Sequence, residues 1–122
     1  MANIKSVTVV SVPVSDQERA KTFYVNKLGF QLLRDDTSIA GMRWVQVGPR
    51  NATTSLTLVN WFDSMPAGSL QGLVLNSDTL EADYAELINK DVEFASPPEK
   101  QPYGTEVVFR DPDGNSIVLQ QA

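Results

Sequence analysis

A chain of 122 residues can bury a core without disulfides or structural metal, and 42% hydrophobic with 20% charged residues is the composition of a globular protein, not a disordered one. It has no Cys and no His, which removes thiolate nucleophiles, thiolate metal sites and imidazole as acid, base or ligand. Ten Lys and Arg against 15 Asp and Glu give a net charge of −5; together with the lack of any apolar run near the ~20 residues of a membrane span, this predicts no nucleic-acid and no membrane partner.

Ile4 to Val14 reads as a strand, with Val10, Val12 and Val14 on one face and Val7, Val9 and Ser11 on the other, and Pro13 marking where it leaves the ladder. Ser15-Asp16-Gln17-Glu18 is a capping-box pattern; Ala20, Phe23, Tyr24 and Leu28 then recur at helical spacing until Gly29. Phe30 to Leu33 is expected as a short strand, Arg34-Asp35-Asp36 as a polar turn or loop, Met42 to Val47 as a strand, Pro49-Arg50-Asn51 as a turn and Ser55 to Asn60 as a fourth strand. Trp61 to Gly68 reads as a linker. The plan then repeats: a strand at Leu70 to Leu75, a capping pattern at Asp78-Thr79-Leu80-Glu81, and an amphipathic helix through Leu80, Tyr84, Leu87 and Ile88 that ends near Asp91. After it come a short strand at Val92 to Ala95 and a proline-rich loop at Ser96 to Pro102. The chain closes on a hairpin, Glu106 to Arg110 and Ser116 to Gln120, around the turn Asp111-Pro112-Asp113-Gly114-Asn115. Matching Val9 with Gly72, Ala20 with Ala82 and Thr57 with Val118 gives an offset of 61 to 63 residues, a duplicated βαβββ unit.

Three strings carry a family resemblance: Phe109-x-Asp111-Pro112-Asp113-Gly114-Asn115-x-Ile117-x-Leu119, Phe23-Tyr24-x-x-x-Leu28-Gly29-Phe30 and Tyr84-Ala85-Glu86-Leu87. Together they resemble the vicinal-oxygen-chelate superfamily, the group of glyoxalases, bleomycin-resistance proteins and extradiol dioxygenases. The resemblance implies an α+β fold in one domain over residues 1–122. Module one, about 1–62, and module two, about 69–122, would form a cupped mixed β-sheet with helices on the outside. The metal enzymes of that superfamily place one ligand on each of four strands, and those positions fall here on Val9, Thr57, Gly72 and Val118. The last is a glutamate in the metal enzymes. None of the four carries an imidazole or carboxylate, and the adjacent Thr8, Gln71 and Ile117 supply no anion, so the expectation is a metal-free member with no cofactor.

The period of two lines the cup with Val7, Val9 and Ser11; Ser55, Thr57 and Val59; Leu70, Gly72, Val74 and Asn76; Ser116, Val118 and Gln120. Apolar side chains with scattered neutral hydrogen-bonding groups suit a small-molecule pocket, and equally a sheet face filled by its own side chains. Trp61, Phe62 and Tyr103 stand near strand ends or loops, as an aromatic rim for a planar ligand or as packing residues, and Trp44 as core or dimer interface. The candidate pocket is Val9, Ser11, Thr57, Val59, Gly72, Val74, Val118, Gln120, Trp61 and Tyr103. No catalytic residue is assigned: an acid or base would fall to Glu106, Tyr103, Tyr24 or an Asp with a shifted pKa, while Asp111 and Asp113 read as turn-formers. There is no Gly-rich phosphate loop and no GxSxG nucleophile elbow. The preferred reading is a cytoplasmic, metal-free homodimer that sequesters or senses a small organic molecule. The alternatives are a lyase, isomerase or dioxygenase-like enzyme with non-standard catalytic residues, and a structural or interaction domain with a filled cup.

Overall fold

Val9–Pro13 forms β1, and the β-branched run works as a strand because each of its residues finds a parallel partner in β4, Ser55–Val59, with Ser11 opposite Thr57. The computed structural model describes residues 2–122. It shows β1 starting at Val9 and not at Ile4: Ile4 and Val7 lie 88% and 61% exposed, ahead of the point where β4 can pair. Between the two strands come α1, Gln17–Thr22, which runs on into a π-helical turn at Phe23–Lys27, then β2, Gln31–Asp36, and β3, Trp44–Gly48. These strands make a mixed four-stranded sheet in the order β1-β4-β3-β2.

The second sheet has the order β5-β9-β8-β6, from β5, Leu73–Asn76, β6, Glu93–Phe94, β8, Gly104–Arg110, and β9, Ser116–Gln121, with β7, Glu99–Gln101, paired on β8. Helix α2 spans Leu80–Asn89. Parallel β5–β9 repeats the parallel β1–β4 pairing, so the duplicated plan is present in both sheets, each mixed and each backed by a helix. The protein is α+β, as the family resemblance implies.

Three local expectations change. Arg34-Asp35-Asp36 is not a turn; it continues β2, since Arg43 reaches across and takes Asp35 through two bonds of 2.8 and 2.9 Å, and Lys21 adds a third at 3.1 Å. The proline-rich stretch contains β7, where Glu99 and Gln101 find partners in Glu106 and Gly104. Helix α1 is capped by Asp16, whose Oδ1 accepts the Arg19 N–H at 3.0 Å, which frees Ser15 for another task described below.

One core spans both sheets. Val12, Val14, Leu56, Leu58, Val45 and Val47 of the first and Val107, Phe109, Ile117 and Leu119 of the second join Ala20, Phe23, Tyr24, Leu80 and Leu87 of the helices in a single buried cluster. An aromatic string crosses it. Tyr84 meets Phe94 edge-on at 4.8 Å, Phe94 lies 5.9 Å from Phe109, Phe109 6.4 Å from Phe23, and Phe23 5.1 Å from Tyr24. Edge-to-face pairs at these separations add to the burial of large rings. They tie α2 to α1 through β6 and β8. No helix among the described residues is long and apolar enough to cross a membrane.

Candidate functional site

Successive strand residues point to opposite faces, so the residues that do not enter the helix-backed core define a second face on each sheet. On the first sheet this face carries Val9, Ser11, Thr57 and Val59 together with Trp44 and Gln46 of β3. It is a linked set of neutral groups. Ser11 Oγ lies 3.4 Å from Thr57 Oγ1, Gln46 Nε2 donates to Ser55 Oγ at 2.7 Å, and Trp44 Nε1 donates to Gln46 Oε1 at 3.0 Å. Trp61 stacks on Trp44 with ring centres 6.4 Å apart and planes 25° apart, and Phe62 extends the array at 6.1 Å. The face is largely closed by its own side chains: Thr57 and Val59 are each 1% exposed.

The corresponding face of the second sheet is different. Val74 stands opposite Val118, which stands opposite Val108, making a row of three valines across β5, β9 and β8. On one side of the row lie Asn76, Gln120 and Glu106; on the other, Ser116 and Arg110. Val74 is 51% exposed, while Val118 and Gln120 are half-buried. Gly72 precedes β5, and Tyr103 is exposed in the turn between β7 and β8.

The ten pocket candidates therefore fall into two groups. Ser11 meets Thr57 on one sheet and Val74 meets Val118 on the other, and none of the ten lines any of three cavities formed by the described residues. Trp44, Gln46 and Val108 belong to these faces and were outside the predicted set. Their signal was the same period of two, in Trp44-x-Gln46 and in Glu106-x-Val108-x-Arg110, strands from which the cup lining was not read.

Asp111, Asn115 and Asp113 do something other than line a face. Asp111 is buried and accepts four hydrogen bonds: from Tyr24 Oη at 2.8 Å, Asn115 Nδ2 at 2.8 Å, and the Asn115 and Asp113 backbone N–H groups at 2.9 and 3.0 Å. Asn115, fully buried, also donates to the Pro13 carbonyl at 2.8 Å and accepts from the Leu70 N–H at 2.9 Å. Asp113 Oδ1 accepts from the Ser15 backbone and hydroxyl and from Arg19 at 3.1 Å, while its Oδ2 is buried without a hydrogen-bond partner. The turn thus makes the reversal expected of it and also clasps the end of β1 and the start of α1. Burial first, then Asp111, pushes the Tyr24 phenol well above its ordinary pKa. Enclosed and committed to Asp111, Tyr24 is not placed to serve a substrate. Slight burial, then Glu106, raises the Tyr103 phenol as well.

Among the described residues no group of three or more Asp, Glu, His or Cys converges where a metal ion could be held. Val9, Thr57, Gly72 and Val118 offer one hydroxyl between them, a donor set that does not fit Zn²⁺, Fe²⁺ or Mn²⁺.

The family model for the Glyoxalase/Bleomycin resistance protein/Dioxygenase superfamily matches residues 6–119. The chain belongs to this superfamily. Solved structures of superfamily type superpose closely on it. TnmS3, an antibiotic binding protein from Streptomyces sp. CB03234, is 50% identical with a TM-score of 0.93, the match covering 99% of this chain and 98% of that one. A glyoxalase/bleomycin resistance protein from the same Streptomyces is 51% identical with a TM-score of 0.86, over 95% of this chain and 100% of that one. The uncharacterized protein YetH of Bacillus subtilis (strain 168) is 32% identical over 121 residues, covering 97% of this chain and 99% of YetH.

Proposed function

We propose that this superfamily member binds a small organic molecule, for sequestration or sensing, with the valine row of the second sheet as the floor of its site and without a bound metal. The row Val74–Val118–Val108 is the observation that carries the reading. An apolar strip bordered by Gln120 and Asn76 on one side and Ser116 on the other offers burial to a hydrophobic body and hydrogen bonds to its edges, the usual division of labour in a small-molecule site. Likeness to an antibiotic binding protein at 50% identity supports the same class of ligand.

The site is half of a cup, and we propose that a homodimer completes it: the valine row of one protomer faces the Ser11–Thr57–Trp44 face of its partner, with Trp61 and Tyr103 at the rim. The closed packing of Thr57 and Val59 makes the first sheet the wall and the second sheet the main contact surface. In this reading the chain is one domain of two modules and acts in the cytoplasm.

Thermal unfolding against a panel of aromatic and cationic antibiotics and divalent metal ions tests the proposal. A ligand that binds the native state raises stability by RT ln(1 + [L]/Kd), about 2.7 kcal/mol at a hundredfold excess over Kd. The expected result is a rise in Tm with an organic ligand that Val118→Glu abolishes, and a solution mass twice the 13.4 kDa of one chain. Stoichiometric metal that raises Tm would sink the metal-free reading; no response to any organic compound would favour the filled-cup alternative.

A further inference from the structure

The strands that carry the valine row have a second side. Leu75 and Leu119 alternate with Val74 and Val118 and so point away from the proposed ligand floor, toward α2. There, with Leu87 of the helix and Phe109 of β8, they form the apolar floor of an open cavity of about 240 Å³ that Leu28 and Phe30 also line. Two carboxylates, Asp83 and Glu86, stand on its α2 side, and no Lys or Arg lines it.

Asp83 is held in place. Ser77 Oγ donates to it in a short hydrogen bond and Thr79 Oγ1 donates at 3.0 Å, both of them neutral donors, and no Lys or Arg among the described residues pairs with it. Glu86 has only a loose, exposed pairing with Lys90 at 3.7 Å, weak at such a surface position. An apolar floor with two carboxylates at one edge discriminates three ways. It favours a ligand with a flat apolar body and one positive charge, gains nothing from the polar group of a neutral analogue, and repels an anion. The net charge of −5 adds long-range attraction for the same ligand.

We propose that this cavity is a second binding site, on the reverse of β5 and β9 from the valine row, for a small organic cation of the arylalkylammonium class. Because Leu75 and Leu119 face it while Val74 and Val118 face away, the two sites are blocked by different substitutions.

The test is a ¹H–¹⁵N NMR titration of the whole chain with phenethylamine, with 2-phenylethanol and phenylacetate as the neutral and anionic counterparts. The expected result is saturable binding of the amine with shifts centred on the Leu75, Asp83, Leu87 and Leu119 amides, and at least tenfold weaker binding of the alcohol and the acid. Asp83→Asn and Glu86→Gln should each weaken the amine about two- to fivefold, the range for loss of one partly exposed charge pair. Glu81→Gln, on the same helix but outside the cavity, should leave it unchanged. Asp83 also tethers Ser77 and Thr79 at the start of α2, so if Asp83→Asn unfolds the chain, the exposed Glu86→Gln carries the charge test alone. Val118→Trp, which covers the valine row, should change amine affinity less than twofold whether or not that row binds a ligand. Equal binding of amine and alcohol, shifts centred on Val74, Val108 and Val118, or no binding of the amine at tens of millimolar would each overturn the proposal.

Discussion

The turn at 111–115 joins β8 and β9, the strands that carry two of the three valines of the row, yet the turn has its polar groups almost fully partnered and the row is left open. At the turn, Asp111 and Asn115 are buried and every one of their side-chain polar atoms is hydrogen-bonded, reaching Tyr24, Pro13 and Leu70. Two ladder positions along β9, Val118 sits half-buried in a row whose outer member is 51% exposed. A buried polar network is costly to leave half-made, so the turn is committed to holding the chain together. Apolar side chains left in solvent contribute little to the isolated fold, and that leaves the row available for something else to cover.

Substitutions on the two sides of this comparison should behave accordingly. The largest effect is expected from Asp111→Ala, which removes the acceptor of four hydrogen bonds, the buried Tyr24 hydroxyl's among them. A loss of about 3–5 kcal/mol is expected by urea denaturation, a large part of the stability of a domain this size; a loss under about 1 kcal/mol would mean that the turn is not the clasp. Next comes a matched pair of glycines. Gly68 and Gly72 have nearly the same left-handed φ, +84° and +85°, but a Cβ on Gly68 would collide with the Asp113 carbonyl, whereas one on Gly72 meets nothing. Gly72→Ala should cost about 1 kcal/mol, from backbone conformation alone, and Gly68→Ala clearly more, measured as the difference in Tm.

A smaller effect is expected from the ion pairs of the first sheet. Arg43, and after it Lys21, holds the Asp35 carboxyl well below the usual carboxylate range. A carboxyl with a depressed folded-state pKa stabilises above the unfolded value near 4 and loses that contribution as pH falls toward the folded one. Asp35→Asn should therefore be less stable than the native chain at pH 6 by at most about 1 kcal/mol, and the gap should narrow steadily as pH falls below about 4. The smallest effect on folding belongs to Val74→Ser, within about 0.5 kcal/mol because the side chain is half exposed already. If the row is a ligand floor, the same substitution should cut ligand affinity severalfold, dissociating stability from binding.

Much of this architecture was legible in the sequence because it is written locally. Alternation in Val9 to Pro13 and Ser116 to Gln120, helical spacing through Phe23 and Tyr24, and Pro and Gly in the last turn each need only a few neighbours to be interpreted. What was not legible depends on residues far away. Arg34-Asp35-Asp36 looks like a turn until Arg43 and Lys21 are brought to Asp35. Asp111 looks like a turn residue alone until Tyr24, 87 positions earlier, lies against it. The faces themselves could be listed from parity, but parity does not say whether a face is closed, as around Thr57, or open, as around Val74.

The clasp also has a consequence in time. Asn115 bonds the Pro13 carbonyl across 102 positions and Asp113 bonds Ser15 across 98, so neither bond can exist until residues 113–115 have left the ribosome. The first sheet is complete by Val59. During synthesis, at about 5–20 residues per second, it waits several seconds with the Tyr24 hydroxyl lacking its Asp111 partner. The last dozen residues therefore act as a latch: a chain cut short before Asp111 retains every strand of its first sheet but lacks the groups that lock it to the second.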